Sequence, residues 1–338
     1  MSEAIYHKIQ LGRESTIGTG VAATTVFPVD AGFTGFELDR GVESPDEDFG
    51  GASLERAGRE SYGIRGADAS LPFVGRFQDL MHPLEMHVAG SVTPTGMGPY
   101  VYVYPFDETA STLKGYTVEY GDINSTQDEF RAVGVHANEL EFGYDALTAP
   151  GNAPWRGSVG LMALNRVPNA LTAAQVAPST LETMEGHLTT LTYGGTGTAF
   201  GSLTALTSGL ISYRFNSTLN LIRRAYGGAT DVAEGYGRSG KAEVSFESMI
   251  RINATTDTNI LDIFEVAGSI PTEQRWRLTI DGSGNNSCFI DARVRFRAVN
   301  IGDRDGERVY AVQGVWVYDS TLGSRGTITL TNDTASVP

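Results

Sequence analysis

The feature that most constrains this chain is a phrase that occurs twice. "HVAGSVTPT" spans 87–95 and "EVAGSIPT" spans 265–272, so Val88-Ala89-Gly90-Ser91 matches Val266-Ala267-Gly268-Ser269. A Pro-Thr follows each copy closely. A match of four residues alone decides nothing, so the flanks have to carry the argument.

The flanks agree in order. Upstream stand "FELDRGVESPDEDFGG" (36–51) and "FNSTLNLIRRAYGG" (215–228), each running from a Phe-led strand-like segment to an aromatic-Gly-Gly. Next come "SYGIRGADASLPF" (61–73) and "GYGRSGKAEVSF" (235–246), each a glycine-rich turn leading into an alternating strand. Both copies then switch to helical spacing. Phe77, Leu80, Met81, Leu84 and Val88 share one helical face, as do Ile260, Leu261 and Phe264. Pro83 suits the first position of the earlier helix, and Gly90 and Gly268 stand where a glycine ends one. Strands return with "GYTVEYGD" (115–122) against "RWRLTIDG" (275–282), then "VHANELEF" (135–142) against "FIDARVRF" (289–296).

The expectation is a mainly β chain of two tandem domains, each with one flanking α-helix. An N-terminal arm covers 1–20, the first copy 21–167, a linker 168–200, the second copy 201–330 and a tail 331–338. The linker is read from Pro168, Pro178 and the Gly/Thr-rich run around 194–198. The arm is poor in large apolar residues after Leu11, so it is expected to serve contacts between subunits rather than the core. The second copy lacks an equivalent of "YVYVYPFDETASTL" (100–113), an additional strand and turn.

Composition narrows the function. At 338 residues the chain has room for two cores without disulfides or metals. A net charge of −15 argues against a sequence-independent nucleic-acid binder, which needs a basic surface to displace counterions. The lone Cys288 can form no intramolecular disulfide, which fits synthesis in a reducing compartment. The N-terminus shows no apolar stretch of a secretory signal, and no run approaches the roughly 18 apolar residues of a membrane span. The expectation is a soluble protein made in the cytoplasm, with no membrane partner.

Catalytic constellations are hard to assemble. There is no zinc-protease helix, no phosphate loop ending in Lys-Ser/Thr and no paired CxxC. "GGTGTAFG" (194–201) lacks the strand and helix that a dinucleotide loop needs. Asp303 and Asp305 before Gly306 open a calcium-like loop without its closing glutamate, so a polar hairpin turn is expected instead. His82 and His87 are five apart, off a common helical face, and make a poor metal pair. No catalytic, cofactor or metal site is expected, and the chain is read as a non-enzyme.

The opening "LGRESTIGTGVAATTVFPVDAGFTGFELD", with "GYTVEYGD", "FRAVGVHANELEFGY" and the helix ending in "VAG", resembles the major tail tube proteins of long-tailed bacteriophages. The resemblance implies β-sandwich or barrel domains of tail-tube type that polymerise as stacked rings around a conduit for DNA. Rings in that family are commonly hexameric, so two domains per chain imply a trimer with pseudo-sixfold symmetry. It also implies a virion location and contacts with other copies, a tape measure protein, and tail terminator and distal tail proteins. Double-stranded DNA would pass without specific binding, and a wall of negative or neutral character suits that passage. The rival readings are a capsid-decorating or adhesion module and, further off, a β-sandwich carbohydrate-active enzyme.

The two copies differ in charge. Residues 1–165 carry 23 acidic and 10 basic side chains, whereas 166–338 carry 17 and 15. The contrast is sharpest where Glu139 and Glu141 align with Arg293 and Arg295, with Arg297 extending the basic stripe. Residues two apart on a strand point the same way. The expectation is that these five residues make charge contacts between domains and favour alternation of the copies around a ring.

Overall fold

The computed structural model describes residues 8–28, 32–43, 48–49, 52–53, 61–88, 92–107, 115–122, 125–146, 153–173, 181–206, 209–224, 233, 235–253, 256, 260, 264 and 273–335. The chain is mainly β, 61% strand, with one α-helix among the described residues. The first half contains β1 (Lys8–Arg13), β2 (Thr25–Val26), β3 (Glu37–Glu43), β4 (Asp48–Phe49), β5 (Ala52–Ser53) and β6 (Ser61–Val74). Helix α1 (Met81–His87) and β7 (Tyr100–Pro105) follow, then β8 (Tyr116–Asp122), β9 (Ser125–Asp145), β10 (Arg156–Ala163) and β11 (Asn165–Pro168). The second half begins with β12 (Thr189–Gly195), β13 (Thr204–Ala205), β14 (Leu210–Thr218), β15 (Leu221–Arg224) and β16 (Gly235–Arg238). It ends with β17 (Glu243–Arg251), β18 (Gln274–Asp281), β19 (Ser287–Arg304), β20 (Glu307–Val317) and β21 (Gly326–Asn332).

One pairing scheme is drawn twice, antiparallel throughout. In the first half β1 pairs with β2 and β8, β8 with β9, β9 with β10 and β11, and β10 with β6. In the second β12 pairs with β13 and β18, β18 with β19, β19 with β20 and β21, and β20 with β17. The middle strands β9 and β19 are long, at 21 and 18 residues. Each carries a register shift, at Gly160/Leu161 of the β9 ladder and Phe296/Ala298 of the β19 ladder. Such a bulge bends a strand, which lets one strand serve two sets of neighbours. Alternation explains the strands themselves: in β17 Val244, Phe246, Ser248 and Ile250 point inward and their neighbours outward.

Among the described residues two ladders join the halves, β14 on β9 and β21 on β7. They also share one hydrophobic core, in which Phe142, Trp155, Phe215, Phe246, Trp276 and Trp316 are all buried. The β19–β20 hairpin turns at Asp305 and Gly306, with φ of 53° and 83°. Positive φ at both residues matches the right-handed twist of the flanking strands.

Three expectations change. The described part of the arm is sheet and core: β1 lies along β8 from Lys8↔Gly121 to Arg13↔Tyr116, and Ile9 and Leu11 are buried. Arg13 also bonds the buried Glu85 of α1 at 2.9 Å. The stretch read as a linker, 168–200, holds β12 paired with β18 and places Met184 and Leu191 in the core. Helix α1 starts at Met81, so Pro83 is its third residue, still within the turn whose N–H groups lack helical partners. Of the repeated phrase, 89–91 and 265–272 lie outside the described residues, as does "ESPDEDFGG" apart from Glu43 and Asp48–Phe49. Of the second helical stretch only Thr256, Ile260 and Phe264 are described; Ile260 is buried and Phe264 packs on the core.

Candidate assembly interface

The junction inside the chain is built from the second part of β9. Glu139 to Asp145 pair with Thr218 to Ser212 of β14, with Phe142 opposite Phe215 and Glu141 opposite Asn216. Beneath this ladder the ring of Phe215 lies 6.2 Å from Phe142, 5.9 Å from Phe106 and 5.2 Å from Trp316. Trp316 donates its indole N–H to the Tyr213 hydroxyl at 3.3 Å. At the end of α1, His87 Nδ1 donates to the Ala137 carbonyl at 3.2 Å, because a carbonyl can only accept. Its Nε2 therefore accepts from the Ser217 hydroxyl at 2.7 Å. Burial pushes the His87 pKa down to about 4, so the ring is neutral near pH 7.

The equivalent place in the second half is filled only in part among the described residues. Val294 pairs with Gln274 of β18 and with Trp316 of β20 at once, so those strands flank β19 on opposite sides. β18 stops at Val294. Beyond it, residues 295–304 have no ladder partner on the β18 side among the described residues. On β9 that side is filled by β14. β3 likewise pairs only with β6 among the described residues.

Two glycines fix how the strands correspond. Gly157 lies between Phe73 and Phe142, and Gly314 between Phe246 and Phe296. A Cβ on Gly157 would meet the Phe73 ring at 2.5 Å, and one on Gly314 would meet the Phe246 ring at 2.5 Å. Only glycine lets the rings close over the strand there. Phe142 and Phe296 therefore hold the same place, which puts Glu139 and Glu141 where the second half has Arg293 and Arg295.

The five charged residues do not meet within the chain. β14, β17 and β20 stand between the two stripes, four strand spacings or about 19 Å. Glu141 pairs instead with Arg214 at 3.0 Å. Arg293 and Arg295 both reach Glu273, and Arg297 reaches Glu243 at 2.8 Å. Sequence reasoning missed Arg214, Glu243 and Glu273. Their signal is register, since Glu273 directly precedes the residue paired with Val294, and alternation alone does not supply it.

Chemistry elsewhere is sparse. Among the described residues no group of three or more His, Cys, Asp or Glu could hold a metal ion. The Cys288 thiol is buried, which raises its pKa well above the usual range. His87 and Ser217 make a base–hydroxyl pair beside a cavity of about 20 Å³ lined also by Asp107 and Arg325. That volume suits a single water, not a substrate. No protein-family model matches the sequence, and no curated protein matches it either.

Proposed function

We propose that the chain is a structural subunit of a phage tail tube, built from two tandem tail-tube-type β-sandwich or barrel domains. Three chains would form a pseudo-sixfold ring, and rings would stack into a conduit for DNA. The observation that carries this reading is the repeated pairing scheme, in which β14 fills the side of β9 that on β19 has no ladder beyond Val294 among the described residues. A chain with one junction satisfied internally, and its counterpart without a ladder among the described residues, is suited to head-to-tail association, which closes into a ring when the rotation allows. The partners under this reading are other copies of the chain, a tape measure protein, and tail terminator and distal tail proteins. DNA would be cargo in transit, and the protein would reside in the virion.

The pairing of six surface arginines with carboxylates favours this role over a polyanion binder. Arg214, Arg251, Arg293, Arg295, Arg297 and Arg304 each have an acidic partner. A neutralised guanidinium holds phosphate weakly, so DNA would slide. Negative-stain microscopy of the concentrated protein should show rings or tubes with a central hole. A monomer at every concentration, or reproducible hydrolysis of glycans by the pure protein, would overturn the reading.

A further inference from the structure

We infer that the β15–β16 hairpin is a strap from the second half that caps a seam of the first, opens as a unit while the shared core stays folded, and is locked shut by a guanidinium site that holds Arg223. The strap would work in the same way whether or not the chain forms rings.

The seam lies where β9 changes partners. Its ladder with β10 runs from Gly143 to His136, and its ladder with β11 begins at Val133. Gly134 stands between them with φ of 62°, and a Cβ there would meet the Leu164 side chain at 2.6 Å. Both features call for glycine. The β6–β10 ladder ends beside it, at Ala67 opposite Ala163. A ladder that stops leaves main-chain carbonyls in need of another donor. The hairpin supplies those donors. The Tyr236 hydroxyl is shared by the Gly134 and Met162 carbonyls, 2.7 Å from each. Arg223 Nε donates to the Ala163 carbonyl at 3.0 Å, and its Nη2 donates to the Ala67 carbonyl at 2.8 Å and to the Asp68 carboxylate.

This site is shaped for a planar fork. Two carbonyls are met by two different nitrogens of one rigid group, and Asp68 adds an opposite charge. Gly66 forms the floor, because a Cβ there would run into Arg223 Nε. A lysine ammonium is a point donor and cannot reproduce the fork. Arg224 next to it plays no such part. It lies over its own hairpin, where a Cβ on Gly237 would run into its guanidinium.

The hairpin is also set apart from the rest of the fold. Among the described residues β15 and β16 form a two-stranded sheet of their own, from Leu221 opposite Arg238 to Arg224 opposite Gly235. Their apolar footing is Leu219, Leu221 and Ala242 with Met162 and Tyr236, a cluster distinct from the shared core. By contrast β14 and β17, the strands on either side in sequence, place Phe215 and Phe246 in that core. The root of the strap is Asn220, at φ of 53°. Its side-chain amide donates to the Lys241 carbonyl at 2.6 Å, and its own carbonyl accepts from the Ser239 N–H at 2.8 Å. A unit with a small apolar footing opens at lower free energy than the core, so its polar anchors decide how often it does.

Hydrogen exchange of the full chain, read by mass spectrometry, tests the strap. In wild-type protein the amides of β15 and β16 should exchange faster than those of β14 and β17. Arg223→Lys should speed exchange in the strap roughly tenfold and change β14 and β17 by less than about twofold. Arg224→Lys, in the same hairpin, should alter neither. Arg223→Gly should resemble Arg223→Lys. Guanidinium chloride below denaturing concentration should then slow its strap exchange relative to wild type under the same conditions, and equal ammonium chloride should not. If the glycine variant does not fold, the contrast between the two lysine variants decides. A strap that exchanges together with β14 and β17 in wild type would overturn the separate unit, as would equal loss of protection in strap and core in Arg223→Lys. An unchanged strap in Arg223→Lys, or rescue by ammonium as strong as by guanidinium, would overturn the lock.

Discussion

The two halves share a strand scheme and finish it differently. In the first, α1 and β9 are sealed by β14 from the same chain, and the seal is an aromatic and imidazole layer of Phe142, Phe215, Phe106 and His87. In the second, β19 runs past the end of β18 with arginines and an exposed Ile301 along its length. An edge that is always filled can bury polar groups at fixed positions. One that waits for a partner has to remain tolerable in water, and charge keeps an open strand from indiscriminate pairing. The comparison teaches that one layout carries a sealed aromatic joint on β9 and an arginine-lined stretch without a ladder on its β18 side, among the described residues, on β19.

The largest effect expected from this contrast is with acid. His82, His87 and His136 all lie in the first half, and burial pushes each pKa down to about 4. The unfolded chain takes up these protons below about pH 6.5, but the native chain does not until about pH 4. Their contribution is therefore complete above pH 6.5 and is lost as the pH falls toward 4, by up to about 3 kcal/mol per histidine. Asp79 opposes part of this. Burial, against the attraction of Arg76, raises its pKa to about 6, so it favours the folded state as the pH falls from about 6 toward 3.8. Urea unfolding at pH 7, 5.5 and 4.5 should show the loss, and His82→Asn should flatten its slope. A stability that does not change between pH 7 and 4.5 would contradict the placement of these rings.

A smaller effect is expected at the internal joint. Phe215→Ala removes a fully buried ring from between Phe142, Phe106 and Trp316. It should cost about 3–5 kcal/mol. Because the core is shared, near-ultraviolet circular dichroism and intrinsic fluorescence should report one coincident transition. Two separated transitions would mean that the halves unfold independently.

The smallest effect belongs to the charge stripe. Glu141→Gln removes the partner of Arg214 in a largely exposed pair. Stability should change by less than about 1 kcal/mol. A larger loss by denaturant titration would show that the pair does more for the fixed joint than its exposure suggests.

The strands were legible where alternation is strict, as in "EVSFESMIR" and "RWRLTID", and the repeated order of elements could be read from the same signal. The N-terminal arm was not, because Ile9 and Leu11 are few among Gly and Thr and their burial depends on β8, more than a hundred residues away. Residues 189–195 misled for the same reason: "TTLTYGG" reads as a connector until β18 supplies its hydrogen bonds. Within the candidate interface, sequence identified the charged stripes but not their partners. Glu273 and Glu243 are near Arg295 and Arg297 only through register, which local patterning leaves open.

The pairing of β7 with β21 has a consequence for how the protein is made. Thr327 faces Pro105, so β7 leaves the ribosome about 220 residues before its partner. At roughly 5–20 residues per second that interval lasts about 10–45 seconds. During it, Tyr102 and Val103 have no ladder along this side, and nascent chains on one message could pair with each other there. A chain released before residue 326 would keep that edge bare, so the first half as well as the second depends on synthesis of β21 for its ladder.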